Sequence, residues 1–535
     1  MEQLPSGGCF LFAMLRALQL TCPGLFENLD LTLQVGETVG LAGPNGSGKS
    51  TLLRLLGGLL PAPSGSLEVA GWNSEDPGFR QACRRHIGMV FQNPESQLVA
   101  NTVEEEVAFA PGQLGLPRPE LETRVREALE RVGLLERRLW QSHALSAGQK
   151  QRLALAAVLA QQPDLLLLDE PFSMLDPPAR TQLLELLTGL AAAHGILIVS
   201  HHAQVLRRCQ RVLVLQQGVL REFSDVPALF SDTGLLDEVG LEHPPRLPPA
   251  PYPALPYRPT AKPTAGEPFA QLTGLEHTYA KDTPLAHRSL HPLELTLRQG
   301  ATTALIGHTG SGKSTLIQHL NLLLRPAAGQ LWLLGESIAP QTPVRPLRKR
   351  IGLLFQQPET QFFQETVAGE IAFAPRNFGC FNPDTVAMAL QQLQLPPDLS
   401  RRSPFELSGG EQRLVALASV LAYDPEVLLL DEPTAGLDPS RRRQLWQLLK
   451  AWRQGSRSLV FISHDLEEVA ELADDVVWLE NGRLQGQGSP GQLFPQLGKA
   501  GFELPIWSSA YLTEHPEYPC PTTRDQFFEW LASEA

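Results

Sequence analysis

The sequence predicts an α/β chain of two tandem domains, each built round a mostly parallel core sheet that ends in a phosphate-binding loop. Three observations carry this. Gly43–Thr51 reads GPNGSGKST and Gly307–Thr315 reads GHTGSGKST, so the pattern G-x-x-x-x-G-K-[ST] occurs twice. Four further segments recur at a near-constant offset of 262 to 264 residues. Leu-rich runs ending in Asp169 and Asp431 have the unbroken apolar character of strands covered on both faces.

Each loop sits where such a loop must sit. An apolar run of strand character leads in (Thr38–Ala42, Thr302–Ile306) and a Leu-rich helical stretch follows. Glycines let backbone N–H groups turn inward round phosphate oxygens, and a helix N-terminus adds the positive end of its dipole. Gly43, Asn45, Gly46, Gly48, Lys49, Ser50 and Thr51 are therefore candidate nucleotide ligands, as are Gly307, Thr309, Gly310, Gly312, Lys313, Ser314 and Thr315. Lys49 and Lys313 are expected to reach the terminal phosphates, and Ser50 and Ser314 to ligate Mg²⁺.

The remaining repeats follow in the same order in both halves. FQNPESQLVANTVEEEVAFAP begins at Phe91 and FQQPETQFFQETVAGEIAFAP at Phe355. LSAGQKQRLALAAVLA begins at Leu145 and LSGGEQRLVALASVLA at Leu407. LLLLDEP and VLLLDEP end at Pro171 and Pro433; IVSHH and FISHD end at His202 and Asp465. A constant offset means a duplicated domain. Length alone would suggest three or four domains of about 150 residues; the repeat fixes two larger ones. Between them, Leu241–Pro268 holds ten prolines, too many for a helix or a central strand. It reads as an extended connector.

Composition excludes some classes. The formal net charge of −13 disfavours broad nucleic-acid binding. The six cysteines are scattered without a C-x-x-C, which reads as reduced thiols. No apolar run reaches eighteen residues, so no spanning helix is expected. CFLFAML near the N-terminus lacks a basic flank, which argues against a signal peptide; the first strand is expected near Leu15, and Met14 is an alternative start.

The chemistry follows from strand ends. Asp169 and Asp431 close buried strands, where a carboxylate lies beside the phosphate loop and can hold Mg²⁺. The next residue, Glu170 or Glu432, is the candidate base that orients or deprotonates a water. His201 and His464 follow further β-rich runs and are placed to hold the γ-phosphate or that water. Ser146 and Ser408 suit helix N-caps, and Gly148 and Gly410 allow close approach of backbone to an anion.

Taken together, these segments resemble a tandem pair of ABC ATPase domains, at 15–240 and 269–505, with an N-terminal extension 1–14, a linker 241–268 and a tail 506–535. The resemblance implies an antiparallel β subdomain and a helical signature subdomain beside each core sheet. It implies ATP as substrate with Mg²⁺ as cofactor, and adds Gln92 and Gln356 to the metal site and Asp176 and Asp438 as the following loop's aspartates. In the family, domains pair head to tail, which implies that the first P-loop works with Ser408–Glu411 and the second with Ser146–Gln149. The adenine-stacking aromatic is Tyr279 in the second half, where the first half has Cys22. Ala147 and Glu411 depart from the usual signature, so the two sites are not expected to be equivalent.

The segment after each glutamine is similar to the ATPase subunits of energy-coupling factor importers, which take up vitamins or transition-metal ions. That likeness implies two membrane-embedded partners, a coupling transmembrane protein and a substrate-binding membrane protein, with the chain peripheral on the cytoplasmic face of the membrane. It also suggests that some of Glu104, Glu105, Glu106, Glu365 and Glu370 meet a basic coupling helix, Glu106 and Glu370 foremost. Other readings are a double-domain sugar-importer ATPase and a soluble ribosome-associated double-domain ATPase; the Pro-rich linker and the acidity speak against the second. The sequence assigns no role to the tail, though Thr523–Ala535 suits a short amphipathic helix.

Overall fold

The computed structural model describes residues 14–61, 64–145, 147–172, 175, 177–239, 241, 266–281, 286–326, 330–453 and 455–532. Ser146, Asp176, most of the Pro-rich linker and nearly all of the N-terminal extension lie outside the described residues. The chain divides into two compact units, one made mainly of residues 1–244 and one mainly of residues 245–535.

The first unit has two sheets. Leu15–Cys22 pairs antiparallel with Phe26–Leu33 on one side and with Ser64–Val69 on the other, and Trp72–Asn73 adds the edge. The larger sheet runs Val219–Phe223, Arg211–Gln216, Thr38–Ala42, Gly195–Val199, Leu165–Asp169, Ile87–Val90. All its neighbours are parallel except the first two. Every residue of Leu165–Asp169 and Gly195–Val199 is buried, as unbroken apolar strands in a parallel sheet must be.

The second unit repeats this plan. Its antiparallel sheet runs His287–Arg298, Pro268–Tyr279, Leu331–Leu333, Glu336–Ser337. Its core sheet runs Ile351–Leu354, Val427–Asp431, Ser458–Ile462, Thr302–Ile306, Asp475–Glu480, Arg483–Gly488. Register brings the functional ends to one edge. Asp169 lies opposite Val199 and Leu41 opposite Val199 in the first sheet; Asp431 lies opposite Ile462 and Leu305 opposite Ile462 in the second.

Each unit also carries a helical layer: Val103–Gly112, Arg118–Arg131 and Ala147–Leu159 in the first, Val367–Phe378, Thr385–Gln392 and Gly409–Leu421 in the second. Thr102 and Thr366 cap the first helix of each set through their side-chain oxygens.

The second unit's core crosses the boundary drawn at residue 505. Helices Ile506–Glu514 and Arg524–Ala532 bring Tyr511, Phe527 and Trp530 into one buried cluster with Leu493, Phe494 and Leu497. Tyr511, Cys520 and Phe527 are fully buried.

Candidate functional site

Each phosphate loop is built as its sequence requires. Gly43 and Gly307 adopt φ of +145° and +148°. A Cβ at either would meet the carbonyl oxygen of Leu215 at 2.1 Å or of Leu479 at 2.0 Å, so no other residue fits. Gly48 and Gly312 cap the helices Lys49–Leu56 and Lys313–Leu320 in the left-handed conformation. Lys49 Nζ donates to the carbonyls of Gly43 and Pro44, both at 2.8 Å. Lys313 Nζ donates to Gly307 at 2.7 Å, to His308 at 2.9 Å and to the Ser311 hydroxyl at 3.2 Å. Burial lowers the Lys49 pKa, against the pull of Glu170 and Asp169.

The acidic residues converge on the same edge. Asp169 is hydrogen-bonded to Ser50, and Asp431 to Ser314. Burial pushes both carboxyls up, Asp431 to about 6. Asp169 Oδ1 is buried with no hydrogen-bond partner among the described residues. A buried, unmatched carboxylate oxygen beside a serine hydroxyl is a hard donor set that suits Mg²⁺. Ser50 and Asp169, and Ser314 and Asp431, would hold the ion, with Gln92 and Gln356 as further oxygen donors. When bound, the ion supplies positive charge against the phosphate oxygens.

Glu170 and Glu432 have φ of +47° and +51°, a conformation that non-glycine residues rarely adopt. Such strain persists where the surroundings enforce it, and it accords with a functional position. His201 Nε2 lies 2.8 Å from Glu170 Oε1, and His464 Nδ1 lies 3.5 Å from Glu432 Oε1. Burial opposes ionisation of Glu432, yet the adjacent His464 and hydrogen bonds from His464 and Gln356 hold its carboxyl down at about 2. Glu170 is lowered in the same way by His201. An ionised carboxylate next to an imidazole at the end of the sheet can accept a proton from water and keep the water's geometry.

Ser408 caps the helix Gly409–Leu421 in a reciprocal capping box. Its hydroxyl oxygen accepts the Glu411 N–H at 3.4 Å, and Glu411 Oε2 accepts the Ser408 backbone N–H at 3.0 Å. Gly410 is buried in the first turn. In the first half, Gly148 lies in the first turn of Ala147–Leu159, and a Cβ there would come within 3.2 Å of Ala179. Tyr279 and Cys22 both end the first strand of their antiparallel sheet. Tyr279 is 39% exposed, and its hydroxyl reaches Thr315 Oγ1 at 3.2 Å. A thiol at Cys22 has no comparable reach.

The reading of Glu106 and Glu370 as charges facing a basic partner is overturned. Each is only 4% exposed. Glu106 Oε2 accepts the backbone N–H of Val99 at 2.8 Å and of Ala100 at 2.6 Å. Glu370 Oε2 accepts those of Phe363 at 3.1 Å and Gln364 at 3.0 Å. A carboxylate that turns back to clamp its own loop is shielded from a partner's charge. Glu105 and Glu365 are exposed, and Glu104 is half-buried, 3.8 Å from Arg138.

Sequence reasoning missed three further features. Buried Arg413 donates to the carbonyls of Glu432 and, at 2.7 Å, Gln356. His308, inside the second P-loop, stacks on Phe502 with ring centres 4.6 Å apart and planes 19° apart. Beside the clamped loop of the second unit lies an open, mostly apolar groove of about 250 Å³, lined by Phe363, Phe373, Phe378 and Leu323 and by the polar Arg348 and Asn321 among others. Phe363 is 56% and Phe373 41% exposed. The recurring F-Q-x-P-E-x-Q pattern was the one available signal for that groove.

A family model described as ABC transporter matches residues 26–173 and 290–435. The chain is 36% identical over 489 residues to an ABC transporter ATP-binding protein of Bifidobacterium longum, covering 84% of this chain and 62% of that relative, less than two thirds of its length. It is 31% identical over 515 residues to a Bacillus subtilis protein that carries the name HMP/thiamine import ATP-binding protein YkoD, covering 90% of this chain and 92% of that one. Among solved structures, a model of ribosome-bound archaeal Pelota and ABCE1 aligns with a TM-score of 0.62 at 20% identity, over 91% of this chain and 80% of that one. At that identity the likeness is one of fold alone.

Proposed function

We infer what this chain powers from one premise: it belongs to the ABC transporter ATP-binding family, whose domains are ATPases. The function the site supports best is that of the ATP-hydrolysing subunit of an energy-coupling factor type importer. In this reading the chain sits on the cytoplasmic face of the cell membrane. It drives uptake of a vitamin or transition-metal ion through separate membrane-embedded subunits, a coupling protein and a substrate-binding protein. No helix among the described residues is long and apolar enough to cross a membrane; the path through the bilayer is assigned to those subunits. The name of the Bacillus subtilis relative supports a vitamin as cargo.

The chemistry is hydrolysis of ATP. Backbone N–H groups of Gly46–Thr51 and Gly310–Thr315 would receive the phosphates, and Lys49 and Lys313 would meet their negative charge. Glu170 and Glu432 would take the proton from the attacking water, and His201 and His464 would hold that water and the γ-phosphate in place.

One observation carries the importer reading: the apolar groove beside Gln361 and Phe363, in the segment that begins at Gln356. Gln356 hydrogen-bonds the catalytic Glu432. The segment that follows it forms the groove wall, so a change at the nucleotide passes along a few residues to the surface. With Glu370 turned inward, the groove suits an apolar helix end of the coupling protein rather than a purely basic one. The test is Phe363→Asp together with Phe373→Asp in the full chain. Copurification with a small membrane protein and uptake in cells should be lost, with basal ATPase retained. Unchanged copurification in the double variant, or wild-type chain pelleting with ribosomes instead of membranes, would overturn the reading.

A further inference from the structure

We propose that Glu468 is a positioning residue for ATP hydrolysis at the second P-loop, tying the segment after Glu432 to the segment that carries His464. The proposal rests on the ATPase reading of that site.

Glu468 lies on the short helix Leu466–Leu472 and is 1% exposed. Its carboxylate is fully matched by donors from three other parts of the unit. Oε2 accepts the Ser463 hydroxyl at 2.7 Å and the Thr434 hydroxyl at 3.1 Å; Oε1 accepts the Trp446 indole N–H at 3.3 Å. The indole can only donate. The Ser463 hydroxyl accepts the Asp465 N–H at 3.0 Å, and Glu468 Oε2 at 2.7 Å is a nearer acceptor for its proton than the Asp465 carbonyl at 3.3 Å. Thr434 stands two residues after Glu432, and Ser463 stands one before His464. The buried carboxylate therefore ties together the two loops whose side chains meet at 3.5 Å, with no more than two residues of slack on either side.

The first unit shows that the fold does not need this carboxylate for packing. At the matching positions, offset by 262 or 263 residues, it has Phe172, Leu184 and Val205 in place of Thr434, Trp446 and Glu468, with only Ser200 kept for Ser463. Phe172 and Val205 are 1% exposed and belong to one apolar cluster, against which Leu184 packs. The same junction is thus closed by apolar contact in one unit and by directional hydrogen bonds in the other. Directional bonds fix geometry where apolar contact leaves freedom to slide.

The experiment uses the full chain with Glu468→Val, the residue of the first unit, and Glu468→Gln, which keeps size and most hydrogen bonds. Steady-state ATPase gives kcat and KM; nucleotide binding and the thermal transition are measured alongside. Glu432→Gln sets the scale of what the second site contributes. Glu468→Val should lower that contribution by about tenfold with KM for ATP changed less than about twofold. Thr434→Val and Ser463→Ala should each give a partial loss of kcat alone, and Glu468→Gln should recover most of it. Turnover unaffected by Glu468→Val overturns the proposal. So does a loss that tracks nucleotide binding and thermal stability and that Glu468→Gln does not relieve, since that is the signature of a purely structural residue. If Glu432→Gln itself leaves turnover unchanged, the hydrolytic reading of the second site fails instead.

Discussion

Replacing Glu370 should release the loop that walls the apolar groove, and the size of the effect follows from its two hydrogen bonds. The N–H groups of Phe363 and Gln364 converge on a single oxygen, Oε2, of a side chain that is 4% exposed. Hydrogen bonds to a charged group contribute about 1.5–3 kcal/mol each, and unmatched buried groups cost a similar amount. Glu370→Ala removes both and should destabilise this loop by about 3–5 kcal/mol. Glu370→Gln can present one oxygen to both donors without charge, so about 1–2 kcal/mol is expected. Glu370→Lys should be worst, because it adds a buried cation facing two donors. Amide hydrogen exchange at Phe363 and Gln364, with the thermal transition of the chain, reads the effect directly. The ordering Lys worse than Ala worse than Gln is the expected result. If Glu370→Ala leaves exchange at both amides at wild-type levels, the clamp is not what holds the loop.

Further outcomes are expected elsewhere. Glu170→Gln combined with Glu432→Gln should abolish ATP turnover while ATP remains bound in the presence of Mg²⁺, measured by retention of radiolabelled nucleotide; turnover at the wild-type rate would refute the assignment of the bases. Tyr279→Ala should weaken ATP binding at the second site, and Cys22→Tyr should tighten it at the first, since stacking on a base contributes roughly 1–3 kcal/mol; unchanged affinity in both would refute the stacking role. Phe502→Ala removes the ring against which His308 stacks, and should raise KM for ATP at the second site more than it lowers kcat. Glu468 also gives the chain a pH signature. Burial, with Asp465 nearby, pushes its carboxyl from 4.5 up to about 7 against the pull of Ser463, Arg442 and Thr434. A raised acid holds its proton more tightly in the folded state, so its contribution to stability is full below pH 4.5 and is lost as pH rises through 7, by about 3 kcal/mol. The thermal transition of Glu468→Gln should therefore gain on wild type between pH 5 and pH 8; a constant difference would refute the shift.

The sequence alone determined the duplicated plan, the two P-loops, the strand-end carboxylates and the histidines. Each of those is a contiguous motif whose geometry is set by its own backbone: a Gly-rich turn between a strand and a helix, or a polar pair at the end of an apolar strand. The helix start at Ser408 was legible for the same reason, since a cap acts within one turn.

Tertiary structure decided what depends on packing rather than on a contiguous motif. TVEEEV and TVAGEI look like acidic surface helices, and nothing local says that one glutamate in each turns back to accept two loop amides. Glu468 reads as one acid among several in DLEEVAEL until Thr434, Trp446 and Ser463 close round it. Phe502 lies 194 residues beyond His308 in sequence, and the apolar residues of the last two helices gain meaning only against Leu493 and Phe494. Burial is a property of the whole packed unit, and it changes a carboxylate from a solvated charge into a structural acceptor. Local pattern fixes which groups are present and in what order; only packing fixes which of them lose water and must therefore find one another.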